Sequence, residues 1–453
     1  MTFRVNGQDV VVVGGGRSGL AAAELLASRG ARVTVTDSAP ALAAADRFAT
    51  LGVAVELGPH RPELFAKAHL VVLSPGVPSE QPAIEAARQG GVPVIGEVEL
   101  ASRWLKGRVI AITGTKGKST TTTLAARMLT EAGFDAPAGG NLGPTLSAQV
   151  ASSQPDSLHV VEVSSFQLES TERFHPWIAV LLNLSADHLD RHRSFEEYAA
   201  AKARIFANQT PEDWAVVNAD DPAALELARG RRARRFDFAL DAPLSDGVTV
   251  EGQQIVRRER GQPAPLLPLT SVKLSGRHLL SDVLAAAAVA CLAGVPSDAM
   301  RRAVEGFEGL EHTLEAVAEI GRVRFVNDSK ATNIVSARRS IESFNDVDRG
   351  VVVIMGGRFK GGRFADLRDV VAARVRAIVA IGEAQPLIES ALADLVPVHR
   401  AASMGEAVRE ARSAASAGGV VLLAPACSSF DMFQDYADRG RAFKAEVKTL
   451  GES

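Results

Sequence analysis

The chain has 453 residues, 46% of them hydrophobic and 23% charged, with a formal net charge of −3. At about 150 residues per domain, this ordinary globular balance predicts roughly three domains. Without a basic excess we expect no nucleic-acid partner. Two cysteines make no disulfide framework, and we find neither a signal-peptide pattern nor an apolar run that spans a bilayer. We therefore expect a reducing, cytoplasmic location and no membrane partner.

The predicted elements alternate between strands and helices in three successive stretches. The first has strands at 9–13, 32–36, 70–73 and 93–96, with an alanine-rich helix after the first strand. The second has strands at 109–113, 159–163 and 178–184, helices at 119–131 and 281–292, and irregular strands and turns over 229–268. The third has strands at 323–326, 351–355, 377–381 and 420–423. This alternation predicts an α/β fold with mostly parallel sheets, in domains that we place at 1–96, 97–308 and 309–453.

A phosphate-binding loop is predicted between the strand at 109–113 and the helix at 119–131. Backbone N–H groups in such a loop point at phosphate oxygens, and the helix N-terminus favours negative charge. Lys118 can reach terminal phosphates, and Ser119 offers its hydroxyl to magnesium. The match is partial, because the full pattern has glycine where this chain has Ile112. The loop residues are Gly114, Thr115, Lys116, Gly117, Lys118, Ser119 and Thr120.

A second glycine cluster follows the first predicted strand, where residues 14–19 read Gly-Gly-Gly-Arg-Ser-Gly. Asp37 ends the next strand, at the position where a dinucleotide-binding domain holds a ribose. Alone, the pattern is typical of an NAD-dependent oxidoreductase. However, the pattern indicates only that a diphosphate binds near a helix N-terminus, and it does not indicate a nicotinamide. UDP also has a diphosphate and a ribose. The motif therefore leaves a dinucleotide and another nucleotide ligand both open.

Polar residues also follow two strands of the central stretch. They are Glu162 after one strand, Asn183, Asp187, His188, Asp190 and His192 after the next, and Lys202 on the following helix. Ligands bind outside the carboxyl ends of strands in open parallel sheets, so these residues are expected to converge with the phosphate loop. His188 and His192 have the i, i+4 spacing of a zinc pair, but no third soft ligand is evident. Magnesium with phosphate oxygens suits the oxygen-rich surroundings better.

Together these motifs resemble those of the Mur ligase family, in the right order and over nearly the whole chain. The resemblance is carried by the phosphate loop, by Glu-Val-Ser-Ser-Phe-Gln at 162–167, by Asp-His-Leu-Asp at 187–190 and by Lys202. The D-glutamate-adding branch in particular is similar at 327–333, at Gly356-Gly357 with Lys360, and at 427–431. The resemblance implies a Rossmann-like N-terminal domain, a central P-loop ATPase domain and a Rossmann-like C-terminal domain.

An activity and a set of site residues are implied by the same resemblance. The activity is ATP-dependent amide-bond formation between UDP-N-acetylmuramoyl-L-alanine and D-glutamate, through an acyl phosphate and a tetrahedral intermediate, by a monomer with ATP and two Mg²⁺ ions. Lys118, His188 and Lys202 would be catalytic, and Asp328 would join the loop in holding ATP. The metal ligands would be Ser119, Glu162, His188 and Lys202, the last carbamylated by CO2. The UDP substrate would contact Gly15, Gly16, Arg17, Ser18, Asp37, Ser74, Pro75, Gly76, Asn141, Ser164 and His188. D-glutamate would contact Lys330, Thr332, Lys360, Ser429, Phe430 and Tyr436.

Several positions depart from the family pattern and concern adenine and phosphate recognition. They are Lys116, Leu279 and Asp282 in place of asparagines, Ala39 and Thr313 in place of arginines, and Tyr436 in place of phenylalanine. Two other enzyme activities stay open, namely another amino-acid-adding Mur ligase and an NAD-dependent oxidoreductase. The oxidoreductase leaves the phosphate loop unexplained. A non-catalytic nucleotide-binding regulator is disfavoured because Lys118, Glu162, His188 and Lys202 are all present.

Overall fold

A computed structural model describes residues 3–185, 187, 191–273, 277–344, 347, 350–359 and 361–452. Contacts divide the chain into two units, Met1–Phe307 and Glu308–Ser453. No helix among the described residues combines the length and the apolar character needed to cross a bilayer. The three domains placed at 1–96, 97–308 and 309–453 stay a prediction.

The first unit begins with a five-stranded parallel sheet. Its strands are β1 (Asp9–Val13), β2 (Arg32–Asp37), β3 (Ala54–Leu57), β4 (Leu70–Leu73) and β5 (Val94–Gly96), and its helices are α1 (Arg17–Ser28), α2 (Ala45–Thr50), α3 (Pro62–Ala66), α4 (Pro82–Gln89) and α5 (Glu97–Ser102). Along β1, Val10 and Val12 enter one apolar cluster while Val11 and Val13 enter another, so both faces are covered. The strand order β3-β2-β1-β4-β5 reverses between β1 and β4, which creates a ligand-binding crevice at their carboxyl ends.

A six-stranded parallel sheet follows, in the order β11-β10-β9-β6-β8-β7. Its strands are β6 (Arg108–Thr113), β7 (Ala138–Gly140), β8 (Leu158–Glu162), β9 (Ile178–Leu181), β10 (Trp214–Val217) and β11 (Arg234–Arg235), and its helices are α6 (Lys118–Glu131), α7 (Leu146–Gln149), α8 (Ser165–Glu169), α9 (Phe195–Ala203) and α10 (Pro222–Ala228). β6 lies between β8 and β9 and is almost completely buried. The carboxyl ends of these three strands therefore lie side by side.

The first unit ends in a small sheet and two helices. The elements are β12 (Asp237–Phe238), β13 (Gly247–Glu251), β14 (Gln254–Glu259), β15 (Gln262–Pro268), α11 (Arg277–Leu292) and α12 (Ser297–Glu305). β13, β14 and β15 pair antiparallel, so the stretch predicted as irregular strands and turns contains an ordered meander. Both α11 and α12 pack against α6. This packing brings the N-terminal half of α11 to the phosphate loop.

The second unit has one six-stranded sheet in the order β16-β17-β21-β18-β19-β20, parallel except for β16. Its elements are β16 (Glu315–Ile320), β17 (Val323–Asn327), β18 (Val351–Gly356), β19 (Val375–Ile381), β20 (Val398–Arg400), β21 (Val420–Leu423), α13 (Ile334–Glu342), α14 (Arg368–Arg374), α15 (Gln385–Leu392), α16 (Met404–Ala414) and α17 (Tyr436–Gly451). Alternate residues of β18 enter apolar clusters on opposite faces, as in the first sheet. The predicted α/β fold with mostly parallel sheets is confirmed.

Candidate nucleotide and substrate site

The phosphate loop adopts a conformation that depends on its glycines. β6 ends at Thr113, and the chain passes through Gly114 at φ 155° and Gly117 at φ 83° before α6 begins at Lys118. Glycine is needed at 117 for two reasons. Its φ is left-handed, and a Cβ there would lie 2.0 Å from Oδ1 of Asp282. The loop thus presents its backbone beside the N-terminus of α6, where anions are favoured.

Lys118 lies across this loop. Its Nζ donates to the carbonyl oxygens of Gly114 and Thr115, each at 3.0 Å. Asn183, after β9, accepts from the N–H of Lys116 at 2.8 Å and donates to its carbonyl oxygen at 3.1 Å. The loop is therefore fixed on the end of the neighbouring strand. All seven predicted loop residues lie at this one strand-to-helix junction, and their contact with ATP stays a prediction.

Glu162 links the phosphate loop to the loop after β7. Its Oε2 accepts from the Ser119 hydroxyl at 2.6 Å, and its Oε1 accepts from Nδ2 of Asn141 at 2.6 Å. These oxygen donors match what Mg²⁺ prefers. Across the described residues, no three His, Cys, Asp or Glu side chains gather as a metal cluster. His188, which is also predicted to bind metal, lies outside the described residues.

Lys202 reaches the same strand end from α9. Its side chain is buried, and its Nζ donates to the Gly114 carbonyl at 2.8 Å and lies 4.7 Å from the centre of the Tyr198 ring. Burial lowers the pKa of Lys202 well below its usual value, and the nearby Lys118 charge lowers it further. A primary amine must be neutral to react with CO2, so these surroundings fit the predicted carbamate. The modification itself stays a prediction.

A cavity of about 460 Å³ lies in the crevice between β1 and β4. Asp37 shapes one wall, because Oδ2 accepts from the N–H of Gly15 at 2.7 Å and Oδ1 accepts from that of Ala39 at 2.9 Å. Arg17 donates to the carbonyl oxygen of Asn141 at 3.2 Å, which connects the two parallel sheets. The predicted substrate residues that line the cavity are Gly16, Arg17, Ser18, Asp37, Ser74, Pro75, Gly76 and Asn141.

Some lining residues were not predicted, and two predicted residues are not part of the lining. His60 and Gln81 line the cavity, although they belong to no motif found in the sequence. Gln167 also lines it and belongs to the 162–167 motif, but it was not predicted as a ligand. Gly15 is not among the lining residues, and neither is Ser164. The Ser164 hydroxyl instead caps α8, where it accepts from the N–H of Gln167 at 3.2 Å. A substrate contact of Ser164 therefore has to coexist with this capping bond.

In the second unit, the predicted D-glutamate residues follow the ends of neighbouring strands. Ser429 is buried, whereas the side chains of Phe430 and Tyr436 are exposed. Lys330 and Thr332 lie in the turn between β17 and α13. The predicted contact of Lys360 falls outside the described residues. Ligand contacts of this set stay predictions.

Asp328, predicted to hold ATP, is buried in the same turn. Its Oδ2 accepts a hydrogen bond from the Ser340 hydroxyl. Burial raises the pKa of Asp328 to about 6, against the opposing effect of Ser340. The carboxyl group is thus already engaged by α13, and its contact with a nucleotide stays a prediction.

Arg439 organises this region and was not predicted. It is fully buried on α17, donates through Nε to the Ser329 hydroxyl at 2.9 Å, and donates through Nη1 to the Cys427 carbonyl at 3.1 Å. Burial lowers its pKa to about 10. One guanidinium therefore holds together the turn after β17 and the loop after β21. Arginine is rarely buried without such partners, but nothing in the local sequence around 439 indicates them.

The fold and the loop at the end of β6 define a P-loop protein of the α/β class, with a separate cavity at the strand-order reversal of its first sheet. Three family models match successive stretches of the chain. They are "Mur ligase MurD-like, N-terminal domain" over residues 8–96, "Mur ligase middle domain" over 112–290 and "Mur ligase, glutamate ligase domain" over 314–427. The chain belongs to the Mur ligase family, which confirms the family resemblance of the sequence.

Curated relatives match along almost the full length. A UDP-N-acetylmuramoylalanine--D-glutamate ligase of Acidobacterium capsulatum is 48% identical over 98% of this chain and 96% of its own. A ligase of the same name from Geotalea daltonii is 44% identical over 99% of both chains.

Solved structures share the fold at lower identity. UDP-N-acetylmuramate-alanine ligase MurC of Thermotoga maritima has a TM-score of 0.59 and 19% identity, over 98% of this chain and 100% of its own. A pseudomurein peptide ligase type C of Methanothermus fervidus has a TM-score of 0.58 and 18% identity, with the same coverage.

Proposed function

We propose that this chain joins D-glutamate to UDP-N-acetylmuramoyl-L-alanine by an amide bond, with conversion of ATP to ADP and phosphate. The two curated relatives described above are named as ligases for these two substrates. One observation carries the proposal within the fold. Glu162 hydrogen-bonds Ser119 of the phosphate loop and Asn141 of the cavity wall, each at 2.6 Å. A nucleotide at the loop and a second nucleotide ligand in the cavity would thus meet at one carboxylate.

The chemistry explains why ATP is needed. A free carboxylate is a poor electrophile, because direct attack by an amine would have to expel an oxide. In the proposed first step a carboxylate oxygen of the alanyl group attacks the γ-phosphorus, the bond to the β-phosphate oxygen breaks, and ADP leaves. The neutral amine of D-glutamate then attacks the acyl carbon of the acyl phosphate. The tetrahedral intermediate loses phosphate, and the amine loses a proton, to give the amide.

The residues have separate tasks in this proposal. Lys118 and the loop N–H groups bind the phosphates of ATP and reduce the repulsion that an anionic carboxylate meets. Ser119 and Glu162 are oxygen donors that would hold Mg²⁺. The carbamate of Lys202 would supply further oxygen ligands, and His188 would supply a ring nitrogen. Bound Mg²⁺ supplies positive charge next to the phosphate oxygens. We assign no general base.

The second unit would bind D-glutamate. Lys330 and Lys360 offer positive charge for its carboxylates, and the hydroxyl groups of Thr332 and Ser429 offer hydrogen bonds. Phe430 and Tyr436 would contact the amino acid as further members of this set. Asp328 would help to hold ATP. We also propose that the enzyme acts as a monomer in the cytoplasm and takes two Mg²⁺ ions.

A panel of amino acids tests the proposal. Purified protein with UDP-N-acetylmuramoyl-L-alanine, ATP and Mg²⁺ is expected to release phosphate when D-glutamate is added, but not with L-glutamate, L-alanine or a diamino acid. Lys118→Ala is expected to abolish the release. Lys106→Ala, which changes a lysine before β6 and away from the loop, serves as the control and should leave it intact. Equal release with another amino acid would reassign the substrate, and release without any amino acid would contradict the ligase.

A further inference from the structure

Arg191 connects the cavity of the first sheet to the central sheet. Its Nη1 donates to the carbonyl oxygen of Pro75 at 3.1 Å, and its Nη2 donates to that of Val77 at 2.9 Å. Both acceptors belong to the loop after β4 and line the cavity. Arg191 itself lies between β9 and α9, 116 positions from Pro75 in the chain. One side chain thus fixes the cavity wall from another sheet.

The guanidinium of Arg191 rests on an ordered support. Its Cζ lies 4.3 Å from the centre of the Phe166 ring on α8. That ring stacks on the imidazole of His192, with centroids 5.3 Å apart and planes at 15°. His192 is buried and hydrogen-bonds the Ser165 hydroxyl at 2.9 Å. The Phe166 ring therefore supports the guanidinium group of Arg191, whose Nη1 and Nη2 point at the two carbonyl oxygens.

The loop that Arg191 binds is anchored at its start, where the N–H and hydroxyl of Ser74 donate to the carbonyl oxygens of Val13 and Gly14 at 3.0 and 2.9 Å. Beyond Ser74 the loop has few constraints of its own. Its Pro75 has no N–H to donate, and a Cβ built at Gly76 would meet nothing within 4 Å. One backbone hydrogen bond, from Val77 to the Ser74 carbonyl at 3.0 Å, closes the turn. The two charge-assisted bonds from Arg191 therefore contribute strongly to its conformation.

We propose that Arg191 is a positioning residue for the nucleotide-sugar substrate, which holds the loop from Ser74 to Val77 in the shape that binds the diphosphate end of that substrate. This inference rests on the proposed function. In the chain, Arg191 directly follows residues 187–190, which carry the Asp-His-Leu-Asp motif of the family. The expected result of losing the guanidinium is weaker binding of the UDP substrate with little change towards ATP.

Three variants separate positioning from general stability. Arg191→Met keeps the aliphatic stem and removes both hydrogen bonds, and it is expected to raise the KM for the UDP substrate about tenfold or more, with kcat and the KM for ATP within about threefold. Arg191→Lys should restore part of the affinity, because an ammonium can donate to one carbonyl oxygen but not as a planar fork. Arg193→Met is the matched control. Arg193 bonds Glu80 at 2.7 Å, but both side chains are mostly exposed, so binding should not change.

The binding of UDP itself, measured by titration calorimetry, distinguishes the possible failures. If the unaltered protein binds neither UDP nor the UDP substrate, the proposed function fails. If the protein binds UDP and Arg191→Met binds it equally well, the inference about Arg191 is overturned and the proposed function stands. An equal loss of UDP and ATP binding together with a lower melting temperature would assign Arg191 a purely structural role, and this also overturns the inference.

Discussion

Asp282 offers the most quantitative test of the described site. This residue stands where the family pattern has asparagine. It lies on α11, is buried, and faces Gly117 of the phosphate loop. Burial raises the pKa of Asp282 to about 7 from its ordinary 3.8, while Thr121 and the charge of Lys118 oppose the change. The neutral, protonated carboxyl group has nearly the shape of an asparagine amide. The chain therefore tolerates an acid here most easily when it carries a proton.

The pKa difference predicts how stability depends on pH. Because folding raises the pKa of this acid, its ionisation costs nothing below about pH 4, and the cost grows as the pH rises from about 4 to 7. One pKa unit corresponds to about 1.4 kcal/mol, so ionisation of Asp282 lowers the free energy of unfolding by roughly 1.5 kcal/mol at pH 5 and by about 4 kcal/mol at pH 8.5. Asp282→Asn stays neutral throughout. This variant is expected to be more stable than the unaltered chain, by a margin that widens with pH.

Urea unfolding followed by tryptophan fluorescence measures this margin. All three tryptophans, Trp104, Trp177 and Trp214, belong to the unit Met1–Phe307 that contains Asp282, so the signal reports on that unit. Asp298→Asn is the matched control, because it makes the same chemical change at a side chain that is 82% exposed. A margin for Asp282→Asn that is the same at pH 5 and pH 8.5 would refute the reasoning.

Three further substitutions test other parts of the site. Gly117→Ala forces an alanine into a left-handed conformation against Asp282, and it should weaken ATP binding about tenfold or more in a nucleotide titration. Gly133 is also left-handed, at φ 90°, but a Cβ there would meet nothing within 4 Å, so Gly133→Ala should leave ATP binding unchanged. Glu162→Gln removes the charge that we propose for binding Mg²⁺, and it should raise the Mg²⁺ concentration for half-maximal activity about tenfold. An unchanged Mg²⁺ requirement would contradict the proposed role of Glu162. Arg439→Met leaves buried carbonyl oxygens without donors and should destabilise the second unit by about 3 kcal/mol in circular-dichroism unfolding, and a loss below 1 kcal/mol would contradict its buried network.

The sequence predicted those elements whose signal is local. β1, β4 and β21 have the predicted bounds, because a fully buried parallel strand is a continuous apolar run with distinct ends. β3 and β16 were missed, since they lie at sheet edges and have partly exposed, mixed residues. The helix α11 begins four positions earlier than predicted, at Arg277, because its first turn, Arg-His-Leu-Leu, precedes the long buried apolar stretch that indicates the helix.

The same distinction applies to the site. Lys118 and Ser119 belong to a short motif between a strand and a helix, so their neighbourhood could be predicted, and Glu162 followed from its place at the end of β8. Arg191 donates to the Pro75 carbonyl 116 positions away, and Arg439 donates to the Ser329 carbonyl 110 positions away. Such backbone acceptors cannot be identified from the sequence. Only the pairing of the strands brings these partners together.

The most direct test of the central claim follows oxygen from substrate to product. UDP-N-acetylmuramoyl-L-alanine labelled with ¹⁸O in its terminal carboxylate is incubated with the protein, ATP, Mg²⁺ and D-glutamate, and the released phosphate is analysed by mass spectrometry. An acyl phosphate predicts that each phosphate carries one oxygen atom from the carboxylate. Amide formation with unlabelled phosphate would contradict an activation of the carboxylate by ATP at the phosphate loop.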